Sequence, residues 1–270
     1  MQNTPLLNRT FPPFAKELEM WLKNRNYRVL VSPQGGSILG LWWQEHCILG
    51  PARMVRVGKE LKARGETHWC YPNFGTVNPE VRPEYQQPKH GFLRHTLLNI
   101  THYSDNLAQF EAPSFSRNGL LKSGPFVDIA LSSRGVWASL CAKNNGLEEL
   151  PILPASHPYF AVPEGRGLEV KMGTEVLVAI YGAAAWGVNA KACVVERTGP
   201  VSVKLFGIGT VDLGLPDNCT HIVLWSDSPF DYVCVEPIFG TPGSYGTKEG
   251  RWLKPGEETK CEVQFLFTPA

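Results

Sequence analysis

Phe126-Val-Asp-Ile-Ala-Leu131, the turn Ser133-Arg-Gly135, then Val136-Trp-Ala-Ser-Leu-Cys-Ala142: this stretch sets the reading of the fold. Two short runs of Val, Ile, Leu and aromatic residues flank a Ser-Arg-Gly break, the pattern of consecutive strands. The same texture begins after Arg25 and continues to the C-terminus. Tyr27–Val31, Ser37–His46, Leu97–Tyr103, Leu168–Met172, Glu175–Ile180, Val201–Phe206, His221–Trp225, Tyr232–Glu236 and Glu262–Phe267 are further candidates, separated by turns such as Asn144-Asn-Gly146. Strands this short, about 8–15 residues apart, predict a mainly β chain forming a large antiparallel β-sandwich or barrel. No repeat of fixed period is visible, which argues against a propeller or solenoid. Gly- and Pro-rich stretches are only turn-length, so residues 1–270 read as one domain.

One helix is expected. Phe14, Leu18, Trp21 and Leu22 recur at helical spacing, and Pro12-Pro13 stands where a helix start tolerates proline. The spacing predicts a short N-terminal helix over Phe14 to Asn24, within a helical extension of residues 1–25.

Composition narrows the function. Hydrophobic residues make up 43% of the 270 and aromatics 11%, enough for a substantial core and against disorder. A net charge of +1, with basic residues spread along the chain, argues against nucleic-acid binding or a polybasic membrane surface. No apolar run approaches the roughly 18 residues a membrane helix needs, and the N-terminus lacks a secretory pattern. Seven scattered cysteines with no Cys-x-x-Cys read as buried apolar residues in a reducing compartment, so a cytoplasmic location is expected.

Three segments carry potential chemistry. The first is Pro151-Ile-Leu-Pro-Ala-Ser-His-Pro-Tyr-Phe160, where prolines bracket His157. Pro158 pushes His157 towards an extended conformation, so the segment reads as a rigid loop aiming one imidazole, and as a poor central strand. The second is Lys89-His-Gly-Phe-Leu-Arg-His95, at the end of an aromatic, proline-bearing stretch from Gly65 to Arg94. That stretch has weak strand character and suggests the wall of a ligand site. The third is Val233-Cys-Val-Glu-Pro-Ile-Phe239, in which Glu236 ends an apolar run. A carboxylate on the core side of such a run would be desolvated, with its pKa raised towards general-base range; a solvated strand end is the alternative. His46, His68, His95, His102 and His221 show no metal-ligand spacing, and no metal site or phosphate loop is expected.

Together these segments resemble the galactose mutarotase-like family, the aldose 1-epimerases and hexose-phosphate mutarotases. The resemblance rests on His90-Gly-Phe-Leu-Arg94, His157-Pro-Tyr-Phe160 and Cys234-Val-Glu-Pro237, in the family's order. Trp69-Cys-Tyr-Pro-Asn-Phe-Gly75 and Val223-Leu-Trp225 are weaker echoes, and the likeness spans about Tyr27 to Phe267. It implies a sandwich with an open sugar groove and a cofactor-independent isomerase interconverting the α and β anomers of an aldose or aldose phosphate. It further implies Glu236 as general base at the C1 hydroxyl, His157 as general acid at the ring oxygen and His90 as its support. Arg94 would hold hydroxyls or a phosphate, and Trp69 and Trp225 would stack on the sugar. The aspartate usual between the histidine and the glutamate is replaced only by Asp212 or Asp227. A phosphate would need convergence of Arg53, Arg56, Arg82 and Arg94. A non-catalytic carbohydrate-binding sandwich and a sugar lyase are the competing readings.

Overall fold

A computed structural model describes residues 19–112 and 124–270. Two ten-stranded antiparallel sheets face one another. One sheet carries the candidate site. It runs through Met20–Lys23, Tyr27–Ser32, Ser37–Trp43 and His46–Leu49 to Tyr159–Ala161 and Tyr232–Ile238. Tyr232–Ile238 also pairs with Ala155–His157, which pairs with His68–Cys70, and with His221–Trp225. The other sheet is two antiparallel runs joined by the long central strand Glu258–Pro269, the last in the chain, which pairs with Gly135–Lys143 on one side and Gly209–Gly214 on the other.

Alternation explains how the sheets bond. Along Glu258–Pro269, Cys261, Val263, Phe265 and Phe267 are buried while residues between them are more exposed. Along Tyr232–Ile238, Val233 and Val235 enter the core between the sheets. Phe160 meets Phe265 across that space at 6.2 Å between ring centroids, and both are essentially inaccessible. Each fully buried side chain of this kind stabilises the fold by about 1.5–3 kcal/mol. A sandwich layer and its packing thus follow from a period of two.

Three expectations need correction. The predicted helix is not seen: residues 14–18 lie outside the described region, and Met20–Lys23 is an edge strand registered Met20↔Val31 to Lys23↔Arg28. Leu22 is fully buried there, the backbone of Trp21 exchanges hydrogen bonds with the Tyr103 hydroxyl, and its ring packs on Trp42 at 5.7 Å. Ladder and ring contacts override the short helical periodicity.

The second correction concerns Pro151–Phe160. It is no surface loop: Ala155–His157 and Tyr159–Ala161 are both strands beside Tyr232–Ile238, in the middle of the sheet. Pro158 occupies the break between them, so its missing N–H costs no ladder bond, and its carbonyl accepts from the Val235 amide at 3.4 Å. Third, Gly65–Arg94 is less irregular than expected. It contains the strand His68–Cys70, and Val77, Val81 and Tyr85 pack with Tyr245 in a second apolar cluster.

Candidate active site

Strand register assembles the site. Ala155 lies opposite Ile238 and Tyr159 opposite Cys234, so His157, midway at the proline break, comes opposite Glu236. On its other side His157 pairs directly with His68. One row across three strands is therefore His68, His157, Glu236, and the adjacent row holds Tyr159, Cys234 and Trp225. The residues between, Trp69, Phe160, Val233 and Val235, point to the core.

Nε2 of His157 and Oε1 of Glu236 are 3.4 Å apart, and both side chains are more than nine-tenths buried. Ionising a carboxyl in such a place costs several kcal/mol. Burial accordingly pushes Glu236 well above the ordinary carboxylate range, an effect opposed only by Lys89. Burial also holds His157 well below the usual imidazole range, reinforced by His68, His90 and Arg94. Both directions favour the uncharged form of each group, a neutral carboxyl beside a neutral imidazole with one proton between the facing atoms.

His90 closes the site from the loop. Its ring stands edge-on to His157, with centroids 5.4 Å apart. The Gly75 amide donates to its Nδ1 at 3.3 Å, and Cys70 Sγ approaches that nitrogen to 3.4 Å, so the ring proton belongs on Nε2. Burial, Lys89 and Arg94 push its pKa down to about 3. The chain bends sharply to present it. His90 has φ +66°, and Gly91 passes so close to Tyr71 that a Cβ would lie 2.1 Å from the carbonyl oxygen.

The other expected residues divide. Arg94 lies beside the site, its Nη1 3.5 Å from Nε2 of His68. Trp225 also lies there, 6.2 Å from His157 between ring centroids. Trp69 does not: it occupies the opposite face of its strand, 3% exposed and packed on Phe239. Asp212 is exposed on the other sheet, whereas Asp227 lies next to Trp225. The four arginines do not converge. Arg53 pairs with Asp231, Arg82 with Glu84, and Arg56 lies on the exposed side of the Arg53–Val57 strand.

Sequence reasoning missed His68 and Arg64. His68 donates from Nδ1 to the Glu66 carbonyl at 2.9 Å, leaving Nε2 to face Arg94. Its ring stacks with His157 at 4.9 Å, and Tyr159 also stacks with His157 at 4.9 Å. Arg64 forms a forked pair with Asp227 (Nη2–Oδ2 2.6 Å), donates to the Tyr232 hydroxyl at 3.1 Å and lies over the Trp225 ring. Tyr232 in turn donates to Asp227. The signal for His68 was present in Thr67-His-Trp-Cys-Tyr71, where period two puts His68 and Cys70 on one face.

No protein-family model and no curated protein matches this sequence. Solved structures do. The Slr1438 protein from Synechocystis sp. PCC 6803 is 17% identical, with a TM-score of 0.74 over 98% of this chain and 100% of that one. A galactose mutarotase related enzyme from Lactobacillus acidophilus is also 17% identical, with a TM-score of 0.74 over 93% and 97%. A galactose mutarotase-like protein from Lactobacillus casei ATCC 334 is 13% identical, with a TM-score of 0.72 over 93% and 100%. The fold is that of the galactose mutarotase-like proteins. Among the described residues no helix is long and apolar enough to cross a membrane.

Proposed function

We propose that the protein is an anomer-interconverting isomerase of the aldose 1-epimerase type, acting without a cofactor on an aldose or aldose phosphate. The single observation supporting this most strongly is the buried His157–Glu236 pair, 3.4 Å apart at the break in a central strand. Ring opening needs one proton removed from the C1 hydroxyl and one delivered to the ring oxygen. The reactive form, Glu236 carboxylate with His157 imidazolium, holds the same single proton as the neutral pair. It is reached by a shift within the pair, with no exchange with solvent. Glu236 then takes the hydroxyl proton, His157 protonates the ring oxygen, and Nε2–H of His90 steadies that oxygen. Rotation about C1–C2 and closure in reverse give the other anomer. Arg94 and Trp225 are the proposed sugar contacts, while the burial of Trp69 assigns it to supporting Cys70 and His68 from behind.

Each proton-transfer group of this kind contributes typically ~10²–10⁴ in rate. Glu236→Gln should therefore lose that much acceleration of mutarotation, followed by polarimetry or NMR on free and phosphorylated aldoses. Full activity in this variant overturns the mechanism. Sugar binding by calorimetry with anomer exchange at the solvent rate would favour a non-catalytic sugar-binding protein.

A further inference from the structure

Cys234 takes no part in that chemistry, yet it is fully buried beside the pair. It is two residues from Glu236 on the same strand and faces the same side. One ligand atom each from His157, Cys234 and Glu236 all lie within 4.8 Å of one another. We infer that these three side chains form a binding site for a zinc-class divalent cation, one that blocks the His157–Glu236 pair.

The donor set decides the metal. One nitrogen, one thiolate sulfur and one carboxylate oxygen suit a tetrahedral Zn²⁺ or Co²⁺ with a fourth position open, and poorly suit Mg²⁺ or Ca²⁺, which take oxygen ligands. Bonds of about 2.0–2.3 Å in a tetrahedron place ligand atoms about 3.3–3.8 Å apart. His157 and Glu236 already meet that spacing at 3.4 Å, so closure asks only for a small approach by Cys234. Charge also balances: thiolate and carboxylate supply two negative charges, and the dication replaces the protons on both. All three ligands come from adjacent central strands, so the geometry is held by the ladder. Sequence spacing concealed the group, because His157 stands 77 positions before Cys234.

Binding does not depend on the proposed isomerase activity; inhibition does. The test uses the full chain, stripped with a chelator and titrated with ZnCl₂ against a chromophoric competitor. The expected result is one Zn²⁺ per chain, with affinity at least ~100-fold weaker in Cys234→Ser and Cys234→Ala, unaltered in the exposed-cysteine control Cys193→Ser, and no competition from Mg²⁺. Circular dichroism establishes that each variant is folded, and Co²⁺ loading should give thiolate-to-cobalt absorption in wild type and Cys193→Ser but not in the two Cys234 variants. Wild type without stoichiometric Zn²⁺, or a folded Cys234→Ser binding as tightly as wild type, overturns the site. Mutarotation with and without Zn²⁺ then tests the block separately: a Zn-loaded wild type that still accelerates anomer exchange refutes inhibition while leaving the site intact.

Discussion

The His68 ring lies nearly parallel to that of His157, 20° off with centroids 4.9 Å apart, and is itself tied to Arg94 through Nε2. His157 stacks with both His68 and Tyr159, so its orientation is set by two flat neighbours. We expect His68 to be a positioning residue. His68→Ala should lower kcat by about 10-fold with little change in KM, because effective orientation is lost. His68→Phe, which keeps a flat ring, should recover part of it. His68 also depresses the pKa of His157, so in both variants the acidic limb of the pH–rate profile should move to higher pH. A purely structural role would leave that limb in place.

Acid stability carries a signature of the buried histidines. His90 is held at about 3, and His68 and His157 well below 6.5, by burial. As pH falls below about 6.5 the unfolded chain takes up protons the native chain refuses, so these groups cost stability as pH falls towards about 3. Glu66 and Glu236, raised above 4.5, work with the opposite sign only above about 4.5. The steepest loss should therefore lie below about 4.5. His90→Gln should flatten that limb by up to about 1.4 kcal/mol per pH unit, measured by urea unfolding at several pH values.

Two glycines in the same loop should respond differently. A Cβ at Gly91 would lie 2.1 Å from the Tyr71 carbonyl oxygen, whereas one at Gly75 meets nothing within 4 Å. Both have positive φ, worth roughly 1–2 kcal/mol against alanine. Gly75→Ala should cost about that amount in a thermal or urea melt. Gly91→Ala should cost more and should also displace His90, lowering mutarotation.

Phe160→Ala removes the contact with Phe265 between the layers. It should destabilise by about 3–5 kcal/mol in urea unfolding. Tyr159 and Cys234, on the opposite face, should keep their register, since main-chain pairing survives.

The sandwich was legible because strands such as Phe126–Ser132 and Gly135–Lys143 announce themselves in apolar runs with a Gly turn. The site was partly legible. His157 and Glu236 carry motifs, and the structure brings them together with His90. Trp69 misled because an aromatic residue beside a motif has two faces to choose between, and only pairing fixes the choice. His68 was hidden because its importance lies in a partner 89 positions away, through the register His157↔His68. The proline segment misled for a similar reason: Pro158 does interrupt a strand, but the sheet accommodates the interruption and uses it.

The alternation along Tyr232–Ile238 also limits how this chain can drift. One residue inserted between Cys234 and Glu236 would rotate the carboxyl into the apolar layer and bring an aliphatic side chain out to face His157. A two-residue insertion would restore the facing but shift the carboxyl by one pair, past His157. Length in this strand is therefore close to frozen, and so is the turn between Trp225 and Tyr232, where Asp227 is held by Arg64 and Tyr232 and the Ser226 hydroxyl donates to the Tyr232 carbonyl.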